Sequence, residues 1–320
     1  MQTYLKTRPV WIQLLLFIGM AFGILMVVFL IGGLVLSQIT GISLMEMNNP
    51  GTLDPKTPNV LALIRGMLLL QFVGMFLVPS LLFAYFSDPR PLNYLGLKPA
   101  SSSLYWILGI LAMLVAVPMV EYTGLINRDL PFSPEMRNMM QSMEDEAART
   151  LQLLLGRSNV TDLVLNVIFI AAFAGVGEEL FFRGIIQRLF IRATRSPWLG
   201  IIIAAFLFSF FHFQFFGFIP RFLLGILLGA IYWYSGSLWP AIIAHFVYDA
   251  FFITLAFFNP ELVTNADASL VNKSYLAVAA LVSAALVVGI VWIMKKNSRT
   301  NFEEVYGDEL NPPSPKAHPF

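Results

Sequence analysis

The sequence predicts an all-α fold, a polytopic membrane bundle of about eight transmembrane helices. Three observations predict it. Hydrophobic residues make up 58% of the 320 positions and charged residues only 12%, where a soluble domain carries about a quarter charged. Mean hydropathy is +0.74. The apolar residues are gathered into runs near the ~20 residues that a helix needs to cross a bilayer.

The elements follow in order. The first run, 10–36, is too long for a signal-peptide core and has no clear small-residue cleavage site, so it reads as a retained span. Runs 60–86 and 104–126 supply the second and third spans. Run 160–190 is long, so it tilts or its last turns leave the membrane. Runs 198–216, 222–234 and 238–258 are separated by Ile219-Pro220-Arg221 and Ser235-Gly236-Ser237. Those breaks make tight turns, so spans five to seven read as a compact unit. Run 275–294 is the last span. Between spans three and four, Met136, Met140, Met143, Ala147, Leu151 and Leu154 recur at helical spacing. Ser133 and Pro134 suit the cap and first position of that helix. It reads as an amphipathic helix resting on the outer membrane face, or more sharply as a lid. The chain divides into an N-terminal region 1–150, a core 151–258 holding helices four to seven, a last span 259–296 and a tail 297–320. The tail is polar, with Pro312, Pro313, Pro315 and Pro319, and reads as disordered, with His318 inert in it.

Basic residues orient the bundle. Lys6, Arg8, Arg90, Lys98, Arg188, Arg192, Arg195, Lys295, Lys296 and Arg299 flank span ends that fall on one side. That predicts an integral multi-pass protein with both termini in the cytoplasm. Loops 37–59 and 259–274 are almost free of Lys and Arg. Loop 127–159 opposes the trend with Arg128, Arg137, Arg149 and Arg157, beside five acidic residues. A net charge of +1 gives no case for a nucleic-acid partner. The absence of cysteine excludes disulfides, thiolate metal ligands and a cysteine nucleophile.

The chemistry-bearing residues lie inside the apolar runs. Glu178 and Glu179 are adjacent within span four, where a carboxylate is expensive unless it has a partner or a task. Arg183 follows Glu179 at i, i+4, the favourable order for a helical ion pair. Glu179 is therefore expected to be neutralised by Arg183, while Glu178 points about 100° away and is free to face a cavity. A buried salt bridge that only holds the bundle together is the plainer alternative. Span five offers Phe208 and His212, and span seven offers His245 and Asp249, each pair at i, i+4. An Asp beside a His orients the imidazole and raises its basicity. Counted at ~1.5 Å per residue, Glu178, His212, His245 and Asp249 fall within about three helical turns of depth.

These residues resemble the CAAX protease and bacteriocin-processing (CPBP) family of intramembrane proteases. The family shares Glu-Glu-x-x-x-Arg, here Glu178-Glu179 with Arg183, then Phe-x-x-x-His, here Phe208 and His212, then His-x-x-x-(Asn/Asp), here His245 and Asp249. The resemblance covers roughly 151–258 and makes that region the catalytic core. It implies an all-helical intramembrane endopeptidase acting on a membrane-associated peptide or protein, with the lipid bilayer as the other partner. Glu178 would activate a water with help from His212, and His245 and Asp249 would stabilise the tetrahedral oxyanion. Prenyl-protein proteases of eukaryotes carry Asn where this chain has Asp249. An ionised Asp249 has no proton to donate to an oxyanion, so it is either protonated or it orients His245 instead. Glu179, Arg183 and Phe208 would be structural support. No cofactor is favoured, and zinc held by Glu178, His212 and His245 is the alternative. Other protease classes fit worse: the sequence has no His-Glu-x-x-His and no Gly-x-Ser-Gly, and its Gly307-Asp308 pair is in the tail. Outside catalysis, a membrane adaptor or bacteriocin-immunity factor of the same fold would not need Glu178 and both histidines. A proton-coupled transporter would predict internal repeats, and none is visible.

Overall fold

A computed structural model describes residues 4–47, 53–54, 57–156, 159–261, 270, 272, 274–303 and 305–306. Every regular element among the described residues is helical. Helix α1 spans Val10–Thr40 and buries only Gln13, Phe17, Ala21, Gly33 and Thr40. Its Leu15, Ile18, Phe22, Met26 and Leu30 are exposed, an apolar face suited to lipid. Helix α2 covers Val60–Ser87 and is π-helical over Phe72–Leu77. The run read as one third span is a pair, α3 (Leu104–Val115) and α4 (Val117–Arg128), bent by 41°. Pro118 in the first turn of α4 accounts for the bend, because proline lacks the N–H that would continue α3 and clashes with the turn before it.

Helix α5, Pro134–Leu155, starts where the sequence places it: the Ser133 hydroxyl accepts from the Met136 N–H at 3.3 Å. Met140 and Leu154 of its stripe are buried, whereas Met136 and Leu151 are exposed. Helix α6, Val160–Thr194, runs for 35 residues. It opens on Asn159, whose side chain accepts from the Asp162 N–H at 2.8 Å. Two stretches of α6 are π-helical, Val167–Ala172 and Glu179–Gln187. Helix α7, Pro197–Phe210, has only 14 residues, about 21 Å at 1.5 Å per residue and short of the hydrocarbon thickness. The reading of 198–216 as one span is corrected here. Phe213 takes a φ of 55°, a left-handed conformation that a bulky residue rarely adopts, and a 3-10 turn at Phe215–Gly217 follows. Helix α8, Phe218–Ser235, is longer than the run read for it. Helices α9 (Trp239–Phe258) and α10 (Leu276–Asn297) match their runs closely.

Among the described residues, six helices are long and apolar enough to cross a membrane, or seven if the bent pair α3 and α4 is one span. The chain is thus an integral multi-pass membrane protein with an all-α bundle. The count of eight is not reached on length, because α7 is too short.

Helix α6 is the centre of the bundle, with α2, α7, α8 and α9 packed around it. Every residue from Glu179 to Gln187 is buried. Phe181 packs on Phe17 of α1 at 4.7 Å, and Phe182 meets Phe208 of α7 at 5.3 Å. Close helix approach rests on glycine. A Cβ on Gly175 would stand 3.1 Å from the Ile242 carbonyl and the Phe246 nitrogen of α9. A Cβ on Gly225 of α8 would stand 3.0 Å from Ala205 of α7. Small residues let backbones approach this closely where there is no hydrophobic force between helices.

Part of the stretch read as a disordered tail folds back on the bundle. Ser298 donates to the Tyr234 carbonyl at 2.8 Å. Tyr306 is buried and stacks on Trp233 at 6.5 Å. An aromatic anchor supplies the apolar burial that composition alone did not reveal. Arg157, His318 and the proline-rich end 307–320 lie outside the described residues.

Candidate functional site

The site is built on α6, the end of α7 and the middle of α9. Its foundation is an ion pair in α6: Arg183 donates to Glu179 Oε1 at 2.6 Å, and both side chains are almost fully buried. The i, i+4 spacing that predicted this pair survives in the π-helical geometry. Arg183 is used on three sides. Its second terminal nitrogen donates to the Gly225 carbonyl of α8 at 3.1 Å, and its guanidinium carbon lies 4.5 Å from the centre of the Phe208 ring. A desolvated guanidinium over an aromatic face gains cation–π attraction of about 2 kcal/mol. Phe208 is therefore a platform for Arg183, as well as a link in the motif.

Glu179 has a second partner that spacing did not predict. His245 Nδ1 stands 2.9 Å from the same Oε1 that Arg183 engages. An ionised carboxylate only accepts, so Nδ1 carries the proton and donates. That fixes the ring and leaves Nε2 facing two further carboxylates: Asp249 Oδ2 at 3.4 Å and Glu178 Oε2 at 4.0 Å. Three acidic side chains thus surround one imidazole. They differ in access. The side chain of Glu179 is sealed, whereas that of Glu178 is 16% and that of Asp249 27% exposed. Glu178 is turned away from Arg183's partner and toward the open side, as the 100° step per residue requires.

His212 sits differently. It lies two residues beyond the end of α7, in the turn before Phe213, and not within a span. Its Nδ1 is 2.7 Å from the Phe208 carbonyl. A carbonyl only accepts, so Nδ1–H donates and Nε2 is the acceptor in the neutral ring. Its ring packs edge-on to Phe208 at 4.8 Å, and His245 leans on the same Phe208 ring at 6.2 Å. The structure therefore joins Glu178, His245 and Asp249 directly. His212 is brought to them through Phe208, with no hydrogen bond or ion pair to the other three. The zinc set Glu178, His212 and His245 does not form a metal-holding group: among the described residues no three His, Cys, Asp or Glu side chains do so.

Two supporting residues were not picked out from the sequence. Gln187 of α6 donates to the Gly229 carbonyl of α8 at 3.2 Å, repeating one turn on what Arg183 does at Gly225. The Gly225 and Gly229 spacing was the available signal. Arg221, read only as part of a turn, donates to Gln214 at 3.2 Å. One terminal nitrogen of Arg221 is buried with no hydrogen-bond partner among the described residues, and its charge acts on Glu178 and on Glu144 of α5. An arginine between apolar runs was the signal.

Residues 160–251 match the family model described as Rce1-like, type II CAAX prenyl endopeptidase. Over this stretch the chain is similar to the CAAX-protease family. The match begins at the first residue of α6 and ends two residues after Asp249, so it contains all three motifs. No curated protein and no solved structure matches the chain. Helices α1 to α5 and α10 lie outside the matched Rce1-like stretch.

Proposed function

We propose that this protein is an intramembrane endopeptidase that hydrolyses a peptide bond of a membrane-associated substrate with a water activated by Glu178. The observation that carries the reading is the split between the two glutamates. Glu179 is consumed by Arg183 and His245, while Glu178 keeps a partly exposed carboxylate 4.0 Å from His245 Nε2. Glu178 takes a proton from water as the water oxygen bonds to the scissile carbonyl carbon. His245, locked by Glu179, faces the developing oxyanion with Nε2, and Asp249 holds that nitrogen protonated and in line. His212, packed edge-on against the same Phe208 ring as His245, keeps Nε2 as an acceptor and assists the water. Collapse of the tetrahedral intermediate breaks the C–N bond, and the proton held by Glu178 passes to the leaving amine. The site residues are thus Glu178, His212, His245 and Asp249, with Glu179, Arg183 and Phe208 positioning them. The catalytic region is 151–258. Both termini lie in the cytoplasm, a placement supported by the gathering of Lys6, Arg90, Lys98, Arg188 and Arg299 at one end of the bundle.

The test compares membranes holding the native chain with membranes holding Glu178→Gln. Proteomics should find a membrane-bound precursor that accumulates only with the variant. The purified enzyme should then cleave that precursor and keep its activity after o-phenanthroline treatment. Activity lost on chelation and restored by zinc would replace the glutamate mechanism with a metal one. No difference between the two membranes, with the native chain shown to be folded, would favour a protein that only binds.

A further inference from the structure

The turn that carries His212 is held from a helix outside the matched stretch. Between α7 and α8 the chain passes through His212, Phe213, Gln214 and the 3-10 turn Phe215–Gly217. Asn127, next to last in α4 and almost fully buried, reaches both sides of that 3-10 turn. Its Nδ2 donates to the Phe215 carbonyl at 2.8 Å, and its Oδ1 accepts from the Ile219 N–H at 2.7 Å. The Ile219 N–H lies in the first turn of α8, where a helix has no carbonyl of its own to offer. A carbonyl only accepts and an N–H only donates, so the two partners fix which end of the amide is which. Aspartate of the same shape lacks the donor, and leucine lacks both groups.

The clamp lies beside backbone strain. Phe213 directly follows His212 and takes a φ of 55°. Its side chain is exposed, so burial does not hold that conformation. Left-handed backbone at a bulky residue persists only where the surroundings over-determine it, and such residues gather at functional sites. Ser209 donates to the Phe218 carbonyl at 2.7 Å, and Arg221 donates to Gln214 at 3.2 Å. Those two bonds come from α7 and α8, the helices that the turn joins. Asn127 instead ties the turn to α4, which is packed along α8 and α10, so the turn is referenced to the body of the bundle.

We propose that Asn127 is a positioning residue for His212: by clamping the 3-10 turn to α4, it fixes where the His212 imidazole stands. The inference rests on the proposed reaction, in which His212 assists the water, and Asn127 acts through His212 without touching substrate. His212 needs such a hold. Its ring is bonded to the Phe208 carbonyl and not to Glu178, His245 or Asp249, so its place relative to them is set by the backbone of the turn.

The full chain in detergent, labelled with ring-15N histidine, gives NMR signals from three imidazoles, His212, His245 and His318. His212→Gln and His318→Gln assign them. Asn127→Leu keeps a branched side chain and removes both bonds, and Asn127→Ser is the milder variant should the leucine one not fold. Asn166→Ala removes another buried amide, the one bonded to the Leu154 carbonyl, and controls for a general loss of stability. The expected result is that the His212 signals shift or broaden in both Asn127 variants and hold still in Asn166→Ala, with His245 unmoved in all three. With the precursor as substrate, kcat should fall by about 10-fold or more in Asn127→Leu at a nearly unchanged KM. His212 signals that stay put in a folded Asn127 variant would overturn the proposal. So would equal shifts in Asn166→Ala, or shifted signals with native kcat. Shifted His212 signals in a protein whose native chain cleaves nothing would support the clamp and overturn the proposed reaction instead.

Discussion

Helix α6 carries two charged stations, and they are built to different plans. Near its start, Arg65 of α2 bonds Asp162 at 2.7 Å and Asn166 at 3.1 Å. Both Asp162 oxygens are used, the second by the Asn159 amide at 2.5 Å, and Asn166 donates onward to the Leu154 carbonyl at 2.7 Å. Four turns later, Glu179 takes Arg183 and His245 on one oxygen, and its other oxygen is buried with no hydrogen-bond partner among the described residues. Beside it stands Glu178, partly exposed and within 4.0 Å of the same histidine. At the first station both carboxylate oxygens are used and the buried atom left over is a donor, Arg65 Nε, so no acceptor is open there, which suits a tie between helices. The second leaves acceptor capacity open beside a reachable carboxylate, and that is what a reacting site needs. An ion pair on a membrane helix is thus not read from its existence but from what it leaves unused.

The largest expected effect comes from making the same chemical change at both stations. Glu178→Gln keeps the shape of the side chain and removes the base. Turnover of the precursor should fall by about 10² to 10⁴, with Tm held close to that of the native protein. Asp162→Asn removes a charge from a closed network, so its effect should fall on stability, about 1–3 kcal/mol, with turnover per folded molecule retained. A Glu178→Gln variant that loses stability and keeps turnover would erase the distinction between the stations.

Removing the arginine sharpens the comparison on the stability side. Arg183→Ala leaves Glu179 ionised and sealed from water, a loss of about 3–5 kcal/mol. Arg65→Ala exposes its partners to the nearer membrane surface, where both side chains are already 11% accessible, and should have a smaller effect. Chemical unfolding in micelles checks both. An equal loss in the two variants would mean that Arg183 is no more buried in practice than Arg65.

Next in size is a steric change that touches no charge. Gly175→Ala places a methyl against the α9 backbone at Ile242 and Phe246, either side of His245 in sequence, where backbone gives way less readily than a flexible side chain. The expected loss is about 1–3 kcal/mol. Activity should fall further than Gly289→Ala in α10, where an added Cβ meets nothing within 4 Å. Equal activity in the two variants would show that the α6–α9 spacing does not set the position of His245.

The comparison also marks what a sequence can carry. The Glu179–Arg183 pair was legible because it is local: i, i+4 and the order of charges settle it. The separate fate of Glu178 was legible for the same reason. The bond from His245 to Glu179 was not, because it crosses from α9 to α6 and depends on how closely those helices approach at Gly175. The short α7 was hidden by composition, since Phe210, Phe211, Phe213, Phe215 and Phe216 keep the run apolar after the helix has ended at Phe210. The bend between α3 and α4 had its signal in Pro118, but hydropathy weighs proline by polarity and not by its missing N–H. The packed residues after α10 show the converse error: polar composition concealed one well-placed tyrosine.

The smallest effect concerns α5 and lies outside the spans. Glu144 is partly buried on the inner face of that helix, and one of its oxygens has no hydrogen-bond partner among the described residues. Burial raises its pKa above the ordinary carboxylate value, with Arg221 and Arg128 opposing and Asp145 reinforcing. A raised carboxylate pKa means that the folded state holds the proton more tightly than the unfolded state. Stability from this group is therefore present at acidic pH and is lost as pH rises from the ordinary carboxylate range through the raised value. Glu144→Gln cannot ionise, so it should match the native protein at acidic pH and exceed it in Tm as the pH approaches neutrality. Hydrogen exchange along α5 should slow in the variant over the same interval and stay unchanged around Asp162. If the native protein is instead the more stable one near neutral pH, then Arg221 outweighs burial, and α5 is held down by a closed ion pair of the Asp162 kind.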